Sequence, residues 1–89
     1  MPGNVLVMAV PPFEADPLRL AYVQVADHIA ERIGAGEFPP ETRLPPEREL
    51  ADEYKVAYNT LRRAMDVLRD QGLVITLRGH GNYVARDRG

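Results

Sequence analysis

Hydrophobic positions along the chain change period several times, and each change predicts an element. Between residues 17 and 35, Tyr22, Val25, Ala26, Ile29, Ala30 and Ile33 recur every three or four positions, with Gln24, Asp27, Glu31 and Arg32 assigned to water. That spacing predicts a one-sided amphipathic helix entered at Pro17 and stopped by Gly34 to Gly36. Residues 36–44, GEFPPETRL, then break the period. Two prolines fix an extended return, Phe38 and Leu44 are its anchors, and a short strand is expected at Thr42 to Leu44. This segment reads as scaffolding without chemistry.

Helical spacing resumes at Glu47 to Tyr54 with Leu50, Ala51 and Tyr54, and again at Asn59 to Asp70 with Leu61, Ala64, Met65 and Leu68. Pro45 and Pro46 mark the first of these helices, and Gly72 closes the second. Lys55 to Tyr58 alone separate them, and Val56 is the one strongly apolar residue there. An apolar plug in so short a turn predicts two helices crossing at roughly 90–120°. After Gly72, Leu73 to Leu77 and Asn82 to Ala85 are short β-type runs joined by Arg78-Gly79-His80-Gly81, which predicts a hairpin. The fold class is therefore mainly α with a small β wing: three helices plus a β-hairpin, a winged helix-turn-helix. The outward face of the third helix carries Tyr58, Asn59, Arg62, Arg63, Asp66 and Arg69. A solvated face looks the same, but Tyr58, Asn59 and Arg62 occupy the first turns, where a recognition helix meets base edges in the major groove.

These segments resemble the DNA-binding domain of the GntR family of bacterial transcription regulators. The family frame L-P-S-E-R-E-L-A, G-V-S-R-x-T-V-R-x-A-L, L-x-x-x-G-L-V and G-x-G-T-F-V is matched by LPPERELA at 44–51, VAYNTLRRAM at 56–65, LRDQGLV at 68–74 and GHGNYV at 79–84. The resemblance spans about residues 17–85 with spacing preserved. It implies a sequence-specific regulator of transcription, a repressor in the commonest case, acting in the cytoplasm on a pseudo-palindromic double-stranded DNA operator. Arg48 and Arg62 match family arginines that contact DNA, Thr60 a threonine on phosphate, and Gly79 the wing tip, with Arg78 and His80 beside it. Lys55 and Arg63 are expected near phosphates, and Tyr58 and Asn59 toward bases. Two copies on half-sites ~34–36 Å apart fit the usual geometry, as a possible homodimer. Three departures stand out. Tyr58 replaces an arginine, removing a bidentate guanine contact worth roughly 1–3 kcal/mol of discrimination. Ala57 replaces a helix-capping serine, a loss of about 1 kcal/mol. Lys55 replaces a turn glycine, a strain of roughly 1 kcal/mol if φ is positive there. Against the contact reading of Arg48 stands an i,i+4 ion pair with Asp52.

Composition narrows the picture. At 89 residues the chain makes one small domain, divided here into a leader at 1–16, the winged domain at 17–85 and a tail at 86–89. Within this chain, whether a free-standing winged helix or a domain excised from a longer protein, no effector-binding domain, no small-molecule effector site and no separate catalytic unit is expected. The absence of cysteine excludes disulfides, thiolate nucleophiles and cysteine zinc sites. His28 has no second candidate ligand three or four residues away, so neither a metal nor a cofactor is expected. Net charge is −2, yet residues 1–42 carry −4 and residues 43–89 carry +2, so the basic excess lies with the helix pair and the wing. The apolar run Val5 to Val10 is too short for a membrane span and lacks a preceding cation. It reads as a leader, with Met8 a second candidate start, or as an edge strand pairing with another subunit. The alternative function is a winged-helix protein-interaction or dimerisation module that reads no DNA.

Overall fold

A computed structural model describes residues 10–86. The order is α1 (Ala21–Gly34), α2 (Glu47–Tyr54), α3 (Tyr58–Asp70), β1 (Val74–Leu77) and β2 (Gly81–Val84). The expected stripes meet in one core: Val25, Ala26 and Ile29 from α1, Leu50 and Tyr54 from α2, and Leu61, Ala64, Met65 and Leu68 from α3. Val74, Val84 and Leu44 close it on the wing side, all nearly inaccessible to solvent. Burying an aliphatic side chain of this size contributes about 1.5–3 kcal/mol, so this apolar seam, rather than helix propensity, holds three short helices together.

All three helices stop in the same way. The N–H of residue 37, 56 or 73 reaches back to the carbonyl of Arg32, Ala51 or Leu68, at 2.9, 3.1 and 2.9 Å. The residue before each takes positive φ: Gly36 at 87°, Lys55 at 57° and Gly72 at 76°. This left-handed stop fits glycine and strains lysine, so Lys55 is the position where the missing glycine matters. No helix has a side-chain N-cap, and Ala57 precedes α3 with nothing in place of the serine hydroxyl.

The antiparallel pair β1–β2 runs in the register Val74↔Val84 to Leu77↔Gly81. A third extended segment lies along β2. Arg43 bridges Tyr83, Leu44 N–H donates to Asn82 O at 2.8 Å, and Val84 N–H donates to Thr42 O at 2.9 Å. The strand expected at Thr42 to Leu44 is this bridge.

Several sequence expectations need correction. The first helix starts at Ala21, not Pro17. Asp16 makes a turn instead, its carboxylate accepting the Leu18 N–H at 2.9 Å and its carbonyl the Arg19 N–H at 3.1 Å. Gln24 is buried rather than solvated, because its side chain satisfies that turn: Oε1 accepts from Asp16 N–H, and Nε2 donates to the carbonyls of Asp16 and Arg19. Arg32 is also buried, 8% exposed, over the Phe38 ring. It donates to Glu37 at 2.9 Å, Glu53 at 2.7 Å and Tyr54 Oη at 3.0 Å. Burial alone would lower the Arg32 pKa, but Glu37, Tyr54 and Glu53 outweigh it and hold the cation more firmly than usual. Shorter shifts affect α3, which opens at Tyr58, and the strands, which begin at Val74 and Gly81.

Residues 10–16, read from sequence as leader, lie along α1 and α2. Phe13 meets His28 and Tyr54 edge-on, with ring centres 5.4 and 5.0 Å apart. His28 Nε2 stands 2.7 Å from the Pro11 carbonyl, and Nδ1 2.7 Å from Tyr54 Oη. A carbonyl only accepts, so Nε2 carries a proton and donates it to Pro11 O. Val5 to Ala9 of the proposed edge strand lie outside the described residues.

Candidate nucleic-acid interface

The second helix of the pair fixes where the polar residues point. Leu61, Ala64, Met65 and Leu68 are fully buried, so Asn59, Arg62, Arg63 and Asp66 on the opposite arc are exposed. Arg48 and Lys55 are exposed from α2 and its stop, and Arg78, Gly79 and His80 from the hairpin tip. Tyr58 and Thr60 are half-buried. The ten residues singled out by sequence thus occupy the start and outer arc of α3, the two ends of α2, and the wing.

Arg48 is not paired with Asp52. Its guanidinium lies 4.5 Å from the Tyr58 ring centre, and Arg62 approaches the same ring at 5.8 Å. Arg63 stacks on Tyr22 of α1 at 4.1 Å. Cation–π contacts at exposed sites contribute about 0.5–1 kcal/mol and orient a guanidinium while leaving all its donors unused. Tyr58, where the family has arginine, therefore holds its neighbours' cations instead of adding one.

Arg69, expected to face outward with these residues, departs from them. It turns back to Asp66, to Thr76 Oγ1 at 2.8 Å and to Asn82 Oδ1 at 3.4 Å. Thr76 donates to Asn82 Oδ1 at 2.6 Å, and Asn82 Nδ2 donates to Glu47 Oε2 at 3.0 Å. The Tyr58 hydroxyl reaches the other Glu47 oxygen at 3.4 Å. A continuous polar strut thus joins both ends of α3 to the wing through Glu47 and Asn82. Sequence reasoning missed Asn82, and only its place in the wing motif could have drawn attention to it.

Charge is sorted by this arrangement. Among the described residues, Arg19, Arg32, Arg69 and Arg86 make ion pairs. Arg43, Arg48, Arg62, Arg63 and Arg78 have no carboxylate partner there, and all five belong to α2, α3 or the wing sheet. A groove between the wing tip and the starts of α2 and α3 is lined by Arg43, Arg48, Tyr58, Gly79, His80 and Asn82. Among the described residues no cluster of three or more His, Cys, Asp or Glu could hold a metal, and no helix is long and apolar enough to cross a membrane.

Known proteins share this frame. The histidine utilization repressor of Klebsiella aerogenes is 37% identical over 68 residues, covering 76% of this chain and 28% of that protein. The mannosyl-D-glycerate transport/metabolism system repressor MngR of Escherichia coli K12 is 39% identical over 67 residues, covering 75% of this chain and 28% of that protein. This chain thus spans little more than a quarter of the length of those relatives. Among solved structures, the DNA-binding domain of AraR in complex with operator ORR3 superposes with a TM-score of 0.73 at 32% identity, covering 92% of this chain and 96% of that one. A GntR family transcriptional regulator from Listeria monocytogenes gives a TM-score of 0.79 at 30% identity, covering 83% and 65%. The family model for bacterial regulatory proteins of the gntR family matches residues 21–84, from the first residue of α1 to the last of β2, and the chain belongs to that family.

Proposed function

We propose that this domain binds duplex DNA sequence-specifically and represses transcription, with α3 in the major groove and the wing on the flanking backbone. The observation that carries the reading is the segregation of unpaired arginines onto α2, α3 and the wing sheet. A fold whose cations served only stability would pair them as it pairs Arg32. The operator complexes of AraR's DNA-binding domain support the reading for this chain, as do relatives named repressors. Membership of a family of regulators also sets catalysis aside.

In this reading Arg62 and Asn59 face bases, while Arg48, Lys55, Thr60, Arg63 and the tip Arg78-Gly79-His80 lie near phosphates. Tyr58 offers an apolar edge for a thymine methyl and a ring for Arg48. The operator is pseudo-palindromic and is occupied by two copies, and the protein works in the cytoplasm. Selection of bound duplexes from a random pool tests the reading. A two-fold-symmetric consensus is expected, with affinity that falls steeply as salt rises. Tyr58→Arg is expected to shift the selected motif toward guanine at one position of each half-site. An unchanged motif would remove Tyr58 from the base-facing edge.

A second reading has one observation in its favour. Ile75 and Leu77 stand 48% and 47% exposed on the outer wing face, which suits a protein-interaction surface. Salt-insensitive self-association without DNA affinity at low salt would favour it.

A further inference from the structure

The groove beside the wing tip contains a cation that the sequence placed in scaffolding. Arg43 sits in the extended segment along β2, where alternate side chains face opposite sides of the sheet. Leu44 is 2% exposed and fills the core, so Arg43 is turned to the outer side. Its backbone is fixed there by hydrogen bonds on both flanks, Leu44 N–H to Asn82 O and Val84 N–H to Thr42 O. Its guanidinium rests against Gly81: a Cβ added to that glycine would stand 2.9 Å from Arg43 Nε and 3.3 Å from Nη2. Gly81 has φ of +115°, so the hairpin both needs glycine there and leaves the arginine room to lie flat across the strand.

Arg43 is exposed, has no carboxylate partner among the described residues, and shares its groove with Arg48, Gly79 and His80. The one acid lining that groove, Glu47, is occupied by Asn82 and Tyr58. A cation anchored by sheet hydrogen bonds, unneutralised and beside the tip, is placed for the backbone strand that passes between wing and recognition helix.

We infer that Arg43 is a DNA-backbone contact, neutralising a phosphate on the wing side that α3 does not reach. The inference rests on the proposed function and adds one residue and one phosphate to it. Phosphate contacts hold register and carry no base information, so this contact strengthens every duplex alike.

The test measures the chain's affinity for its selected duplex and for a random duplex by fluorescence anisotropy, across a salt series, for wild type, Arg43→Gln and Arg43→Lys. One lost phosphate contact reduces the slope of log affinity against log salt by about 0.9, so the advantage of wild type over Arg43→Gln narrows about 3.5-fold between 50 and 200 mM salt. The loss should be equal on both duplexes, Arg43→Lys should restore the slope, and the selected motif should stay the same. Wild-type binding with an unaltered slope and affinity in Arg43→Gln would overturn the inference and leave the proposed function standing. A changed motif in Arg43→Gln would overturn it too, since the residue would then read bases. If wild type binds no duplex at low salt, the proposed function fails and takes this contact with it.

Discussion

Replacing Arg32 with alanine removes a single cation that ties α1 to the linker and to α2. Its donors reach Glu37, Glu53 and Tyr54 Oη, and its plane covers Phe38. Breaking a fully buried ion pair from one side costs about 3–5 kcal/mol, chiefly because the partner's charge is left unpaired out of water. Here the partners are partly wet: the side chains of Glu37 and Glu53 are 41% and 51% exposed. Both can rehydrate, and Tyr54 Oη keeps its bond to His28 at 2.7 Å. The discounted cost is about 1.5–3 kcal/mol, which for a domain of this size lowers Tm by roughly 6–24 °C. Thermal melts followed by circular dichroism at neutral pH give the measurement. Arg32→Met, which refills the space against Phe38 without a charge, should recover at least half of the loss. Arg19→Ala, which removes an exposed pair with Asp27, should cost under about 1 kcal/mol. If Arg32→Ala melts within about 2 °C of wild type, a margin well inside the discounted cost, the cluster is decoration on a core held by apolar contacts alone.

Lys55→Gly relieves left-handed strain of about 1–2 kcal/mol against an unfolded-state cost of about 0.4–1. The variant should melt a few degrees higher while binding DNA with a shallower salt slope, and a lower Tm would refute the strain. Tyr54 has its pKa raised above 10.0, first by burial, with Arg32 opposing and Glu53 and Glu37 adding to it. A folded pKa above the unfolded one gives stability that is present below about pH 10 and lost as pH rises through the folded value. Denaturant titrations from pH 8 to 11 should therefore decline more steeply for wild type than for Tyr54→Phe, and parallel profiles would contradict the shift.

The core stripes, the glycine stops of α1 and α3 and the hairpin are legible because each depends on local rules of spacing, glycine and turn chemistry, whereas the α2 stop at Lys55 is legible only against the family frame. Polar residues on helix faces are less so. Gln24 and Arg32 fall on the polar arc by period, but a long side chain can curl back to partners that only the fold supplies. For Arg32 one partner is Glu53, 21 positions away. Arg69 shows the same limit, since a helical wheel cannot say that Thr76 and Asn82 will stand beside it. The ten candidate site residues came from spacing and family frame together, and the structure leaves eight of them exposed. Arg43 escaped because a linker rich in proline reads as spacing, although its alternation with Leu44 was a usable signal for an outward face.

Glu47 places an acid at the edge of the surface proposed to face phosphates, and the strut gives that acid a structural reason. An exposed carboxylate there would repel the DNA backbone, yet removing it would leave Asn82, 8% exposed, without an acceptor for its Nδ2. Burying an amide that lacks its partner costs about 1–3 kcal/mol. Both Glu47 oxygens accept hydrogen bonds, from Asn82 and Tyr58, which orients the carboxylate toward the protein and ties the helix start to the wing. Arg69 completes the connection between α3 and the wing at the other end of the helix. On the proposed function the wing and α3 straddle one duplex, and such a fixed angle favours binding, since a wing free to swing would have to be ordered at each encounter.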